Sequence, residues 1–328
     1  MDRYLVLLLV LNFIIINNFN YLIKKFNIYD SPNIKRKKQS YKVSTVGGLI
    51  IIINFFSFFL YDILFGLTDS VFSSYRNQFS LYFCGILIYF VGIFDDKYGV
   101  SANTRLFLFS AIIILSITIN DNLIIQTLKF DLFNREINLK RFSLVFTVLS
   151  ILLFINAFNM FDGINLQSGI YSLIFFLYFL TNGIDINFCI MIFFSLIVFI
   201  FLNFKNLCYL GNSGSYLLSF IISFLAISNY NEGKIANVET ILVLMLMPGL
   251  ELIRVFCSRI INGHHPFKGD RNHIHHFLIR KYSIIKTNLF LMLLVAIPVL
   301  FFSFINPIVG ILFGLFTYMT FIIFIKNN

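Results

Sequence analysis

Apolar runs long enough to cross a bilayer recur along almost the whole of this chain, and little else constrains its fold as strongly. A stretch of about 18 or more residues with few charges reads as a transmembrane helix, and by that rule the sequence divides into about eleven spans. Their expected limits are 4–22, 46–66, 79–94, 105–119, 142–159, 170–183, 187–204, 216–230, 238–256, 288–305 and 308–325. The expected fold is therefore an all-α membrane protein, a polytopic bundle of about 10–11 transmembrane helices forming a single domain over residues 1–328. The chain is 59% hydrophobic and 12% charged, outside the range of soluble globular domains. The first run lacks a small-residue cleavage site and ends in Asn17 and Asn18, so it reads as a retained span rather than a signal peptide. Cys84, Cys189, Cys208 and Cys257 show no CxxC spacing and read as small hydrophobes.

Charge sets the orientation. The formal net charge is +10, but Lys24, Lys25, Lys35, Arg36, Lys37, Lys38 and Lys42 crowd one loop after the first span. That crowding follows the positive-inside rule, with attraction to anionic headgroups as an addition, and does not imply nucleic acid. The loop is expected to be cytoplasmic and the N-terminus outside. Cytoplasmic loops then fall at about 23–45, 95–104, 160–169, 205–215 and 257–287, and these hold the main polar clusters of the chain.

Each cluster has a chemical reading and a plain one. Asp95 and Asp96 are adjacent acids that suit Mg²⁺ binding or a catalytic base; they also suit a solvated pair matched by Lys97 and Arg105. Asn156, Asn159 and Asp162 recur at spacings of three and share a helix face, where their oxygens could meet a cation or nucleotide. Gly163 and Gly169 permit a turn there, and an amide-rich helix end making local caps is the alternative. GNSGS, residues 211–215, leaves backbone N–H groups at a helix start, which favours phosphate but also describes an ordinary N-cap turn. All five histidines lie between His264 and His276, in HHPFKGDRNHIHH with Lys268, Asp270, Arg271, His273 and His275. Anion handling is favoured there over zinc, because His275 and His276 are adjacent and no spacing resembles H-E-x-x-H.

In order along the chain, VGG (46–48), Asp95-Asp96, NAFNMFDGIN (156–165), GNSGS and PFKGDRNHIHH (266–276) resemble the polyprenyl-phosphate N-acetylhexosamine-1-phosphate transferases, glycosyltransferase family 4. The Pro266-Phe267…Asp270-Arg271…His273…His275-His276 pattern is similar to the branch using simple UDP-N-acetylhexosamines, which ranks the phospho-MurNAc-pentapeptide translocase lower. The resemblance implies transfer of N-acetylhexosamine-1-phosphate from a UDP-sugar to polyprenyl (undecaprenyl) phosphate in a bacterial inner membrane, with release of UMP. It implies Mg²⁺ as cofactor, with Mn²⁺ as the alternative ion, and an active site at the cytoplasmic face. By the same resemblance Asp95, Asp96 and Asp162 are catalytic, with Asp95 orienting or deprotonating the acceptor. Asn159, Asp162 and Asn212 serve the metal. Asn156, Asn159, Arg105, Gly211, Ser213, Asp270, Arg271, His273, His275 and His276 bind substrate. Partners are the nucleotide sugar, the lipid acceptor, the bilayer and, as in many members, a second copy of the chain; nucleic acid is not among them.

Two departures stand out. The family commonly carries GDSGS or GDxGS where this chain has Asn212, and DGIDG where it has DGINL. Loss of the acid at 212 predicts weaker metal affinity and keeps open a catalytically impaired homologue acting as a binding subunit. A secondary transporter is disfavoured, because the ionisable groups sit on one face and no internal repeat is present.

Overall fold

The computed structural model describes residues 2–30, 42–66, 74–263 and 272–327. Its elements are α1 (Asp2–Asn17), α2 (Phe19–Phe26), β1 (Tyr29–Asp30), β2 (Val43–Ser44), α3 (Gly47–Phe65), α4 (Tyr75–Tyr98) and α5 (Ala102–Ile119). They continue as β3 (Thr127–Phe130), β4 (Arg135–Asn138), α6 (Ser143–Phe161), α7 (Gln167–Thr181), α8 (Ile186–Phe204) and α9 (Gly211–Asn231). The chain closes with α10 (Val238–Ile261), α11 (Ile274–Ile279), α12 (Ile284–Phe304) and α13 (Pro307–Asn327).

The protein is an all-α integral membrane protein, and each of the eleven expected spans is helical. Among the described residues eight helices are long and apolar enough to cross a membrane, or nine if α1 and α2 form one span. α7 has 15 residues and rises roughly 22 Å, short of a hydrocarbon core of about 30 Å. α1 and α2 meet at a 65° bend at Asn18. There the backbone N–H and the side-chain amide of Asn18 both donate to the Ile14 carbonyl, each at 3.0 Å.

Contacts divide the chain into two compact units. Two of the three boundaries fall inside α7 and α9, and the third lies between Asn122 and Leu123, in the connection after α5. The first unit comprises Met1–Asn122 and Ser172–Ile222. In it α3 packs on α8 and α1, and α4 on α5. Buried polar pairs fix the register of these apolar faces. Asn12 and Asn54 exchange side-chain amide bonds of 2.9 and 3.1 Å, Gln78 donates to Asp62, and Ser80 bonds Ser116 at 2.8 Å. Such hydrogen bonds select a helix pairing where every alternative surface is equally apolar. Strands β1 and β2 pair antiparallel, Tyr29 with Ser44, and Tyr209 N–H donates to Ser44 O (2.8 Å), bringing the start of α3 beside the start of α9.

The second unit comprises Leu123–Tyr171 and Ser223–Asn328. Here α10 packs against α6, α12 and α13, and α12 against α13. The loop after α5 forms an antiparallel hairpin of β3 and β4. Lys129 N–H donates to the Tyr230 hydroxyl (2.8 Å), which donates to Thr127 O (2.9 Å), anchoring the hairpin on α9. A rule that looks for spans has no means of seeing it.

Candidate functional site

The expected site residues fall into two clusters, one in each unit. In the first unit Asp95 and Asp96 belong to the last helical turn of α4 rather than to a loop. Gly92, one turn earlier, lets α4 approach the first turn of α9 at backbone contact: a Cβ there would lie 2.3 Å from Ser213 Cα. Across this contact the Asp96 carboxylate accepts the backbone N–H groups of Asn212 (2.8 Å) and Ser213 (3.0 Å). An anion at a helix N-terminus is favoured by the dipole and by the otherwise unsatisfied amides. GNSGS does behave as an anion cradle, but the anion at two of its amides is Asp96. The reading that left those amides free for phosphate is corrected accordingly.

Asp95 is buried and fully engaged. Arg105 Nη1 (3.1 Å) and the Tyr216 hydroxyl (2.7 Å) donate to Oδ2, and Val100 N–H (2.8 Å) donates to Oδ1. Arg105 also donates to the Tyr216 oxygen (3.1 Å), closing a triangle. Of the two partners proposed from sequence, Arg105 takes the role and Lys97 stays exposed. Tyr216 is a functional candidate that the sequence reading missed, since a tyrosine in an apolar span carries no signal by itself. Asp95, Asp96, Arg105, Gly211, Asn212 and Ser213 thus meet in one place.

In the second unit α6 ends at Asp162, with Asn156, Asn159 and Asp162 all half-buried. Asn156 spends its amide on Leu152 O (2.7 Å), the local cap that was the plain reading. Ser168 donates its hydroxyl to Asp162 Oδ1 and holds that carboxylate from the following turn. Leu166 has φ of 74° in that turn, where the family's DGIDG has glycine; the strain costs about 1 kcal/mol. Asn288 donates to Asn165 O (2.8 Å), tying the turn to α12.

His275 lies directly over this turn. A Cβ at Gly163 would fall 1.9 Å from its Nε2, so only glycine admits the imidazole. His273 and His275 are stacked with centroids 5.3 Å apart, and His276 meets His275 edge-on at 4.3 Å. The structure therefore joins His273, His275 and His276 to the Asp162 turn. Asp270 and Arg271 lie outside the described residues. Among the described residues no three His, Cys, Asp or Glu side chains converge as metal ligands. Asn159 and Asp162 supply hard oxygens on one helix end. That fits Mg²⁺, which takes one or two carboxylates and leaves its other positions to phosphate and water.

His275 is 1% exposed and its Nδ1 has no hydrogen-bond partner. Burial, with the charges of His276 and His273, pushes its pKa well below the ordinary histidine value; Glu251 opposes this and Arg254 adds to it. The folded protein holds it neutral, whereas the unfolded chain protonates it below about pH 6.5. The linked stability is complete above that pH and is lost as pH falls through it, by up to about 1.4 kcal/mol per pH unit. Thermal unfolding in detergent between pH 8 and 5 should fall more steeply for the wild type than for His275→Asn. Parallel slopes would remove His275 as the cause.

The sequence reading also missed Glu251, Arg254 and Tyr318. Glu251 and Arg254 are ionisable residues inside an apolar helix, and that is a recognisable signal.

Residues 78–229 match the family model described as glycosyl transferase family 4, a region holding both acidic clusters and GNSGS. The chain is 26% identical over 270 residues to the undecaprenyl-phosphate alpha-N-acetylglucosaminyl 1-phosphate transferase of Escherichia coli O157:H7, covering 78% of this chain and 70% of that protein. The like-named proteins of Salmonella typhi and Yersinia pestis are 26% identical over 269 and 268 residues, with the same coverage.

Proposed function

We propose that this chain, which carries a glycosyl transferase family 4 region over residues 78–229, transfers N-acetylhexosamine-1-phosphate from a UDP-sugar to undecaprenyl phosphate. The observation that carries the reading is similarity over 78% of the chain to transferases named for that activity. In the reaction an oxygen of the lipid phosphate attacks the sugar-bearing phosphorus of the donor. The bond to the other phosphate breaks, and UMP leaves with the bridging oxygen. The acceptor is already largely ionised at neutral pH, so positioning and charge neutralisation supply most of the catalysis.

The residues divide the work. Asp95, held by Arg105 and Tyr216, orients the acceptor side and leaves little need for a strong base. Asp162 and Asn159 hold Mg²⁺, which would neutralise charge on the diphosphate as UMP departs. His276 and a neutral His275, with Arg271, grip phosphate and sugar through N–H donors. The reaction takes place at the cytoplasmic face of a bacterial inner membrane, where the basic loop after the first span is retained.

Detergent extracts given radiolabelled UDP-GlcNAc, undecaprenyl phosphate and Mg²⁺ should yield labelled lipid and equimolar UMP. Absence of both would sink the reading in favour of an impaired homologue, which Asn212 in place of aspartate keeps in play. Activity without any vesicle compartment separates the enzyme from a transporter. Restoring the acid by Asn212→Asp should lower the Mg²⁺ concentration giving half-maximal activity by roughly tenfold, since ligand charge tunes divalent affinity. An unchanged Mg²⁺ titration would exclude position 212 from the metal's surroundings.

A further inference from the structure

Glu251 is 1% exposed within α10, yet it carries a dense set of partners. Arg254, one turn on, donates to both of its oxygens at 3.0 and 2.6 Å, and the Tyr318 hydroxyl of α13 donates to Oε2 at 2.7 Å. The remaining contacts reach the histidine segment. Ile274 N–H donates to Glu251 Oε1 at 2.8 Å, and His273 Nδ1 lies 3.4 Å from the same oxygen. Arg254 Nη2 donates to Asn272 O, and Arg254 Nε donates to the Tyr318 oxygen at 3.1 Å. Asn272, His273 and Ile274 are thus held by two side chains of α10, which Tyr318 of α13 braces in turn. These residues open α11, which delivers His275 onto Gly163.

A short helix of six residues has no rigidity of its own. Its placement has to come from outside, and a buried carboxylate taking its N-terminal amide supplies that. Ionised groups are costly in an apolar helix and persist where they do a specific task. A packed apolar residue at 251 would cost less and would leave α11 unanchored.

We propose that Glu251, clamped by Arg254 and Tyr318, is the positioning residue that docks the His273–His276 segment over the Asp162 turn. The inference rests on the transferase reading only for its kinetic consequence; the clamp itself is independent of it. Displacing a gripping group by about 1 Å costs on the order of 100-fold in rate.

The test uses Glu251→Gln, Tyr318→Phe, His275→Ala and the double variant Glu251→Gln/His275→Ala in full-length, detergent-solubilised protein. Hydrogen exchange at the Ile274 amide should accelerate at least tenfold in Glu251→Gln and less in Tyr318→Phe. With UDP-GlcNAc, kcat/KM should fall about 100-fold in Glu251→Gln, while KM for undecaprenyl phosphate stays unchanged. The double variant should be no worse than His275→Ala, because one loss already contains the other. Additive losses, or unchanged exchange at Ile274, would overturn the clamp. If the wild type labels no lipid, the transferase reading fails and the exchange result alone decides the clamp. If Glu251→Gln does not fold, Tyr318→Phe decides it on the same two readouts, with unchanged exchange and unchanged kcat/KM counting against.

Discussion

Gly92→Ala is expected to reduce lipid labelling at least 100-fold and to lower the unfolding midpoint in detergent. The new methyl would sit 2.3 Å from Ser213 Cα and 2.7 Å from its nitrogen, both backbone atoms that no rotamer change can move. α4 or the start of α9 has to shift by about 1 Å, since packed carbons approach no closer than roughly 3.5 Å. Asp96 sits one turn along α4 from that contact, so the shift pulls its carboxylate off the amides of Asn212 and Ser213. Overpacking of this kind costs typically 1–3 kcal/mol, and the two amides left without a partner add to it. The expected outcome is a protein that inserts and binds nucleotide poorly, with residual transfer near background. A Gly92→Ala protein with wild-type kcat and wild-type midpoint would mean that the helices do not touch there.

Asp162→Asn is the second large effect, about 1000-fold in kcat with the fold retained. The amide keeps the shape of the side chain and can still accept the Ser168 hydroxyl, so α6 and the following turn should be undisturbed. What it removes is the negative charge nearest to Asn159 on that helix end, and with it the proposed grip on Mg²⁺ and the diphosphate. Loss of one preorganised electrostatic contact at a reacting phosphate costs on the order of 100- to 1000-fold. Ser168→Ala removes only the hydroxyl that orients the carboxylate and should cost about tenfold by the same reasoning. Initial rates at saturating Mg²⁺, with circular dichroism as the fold control, separate the two. An Asp162→Asn enzyme within threefold of wild type would strip Asp162 of any role in the reaction.

Some of this was legible in the chain. The apolar runs gave the helices because length and hydrophobicity decide what lipid will accept, independently of neighbours. The acidic pair, the amide-rich end of α6, GNSGS and the histidines stood out because polar groups in such a chain are few and must be accounted for. Other features were not legible, and each for a physical reason. The break between α1 and α2 falls inside one apolar run, where a hydropathy rule sees no boundary. The β3–β4 hairpin is anchored by Tyr230, about 100 residues away in the chain. Glu251 carried a readable signal, an acid within an apolar helix, but its partner Tyr318 is 67 residues on.

What the sequence determined by itself is the set of helices and the identity of the polar groups between them, since burial in lipid is a property of each segment alone. Only the tertiary structure decided what those groups are doing at rest. It gave the Asn212 and Ser213 amides to Asp96, bound Asp95 to Arg105 and Tyr216, and set His275 against Gly163. Tyr216 and Asp95 are 121 residues apart, and a hydrogen bond of 2.7 Å exists only once two helices have met at one angle and one register. No local pattern encodes that meeting; the small residues at Gly48, Gly92 and Gly214 permit it, and packing carries it out.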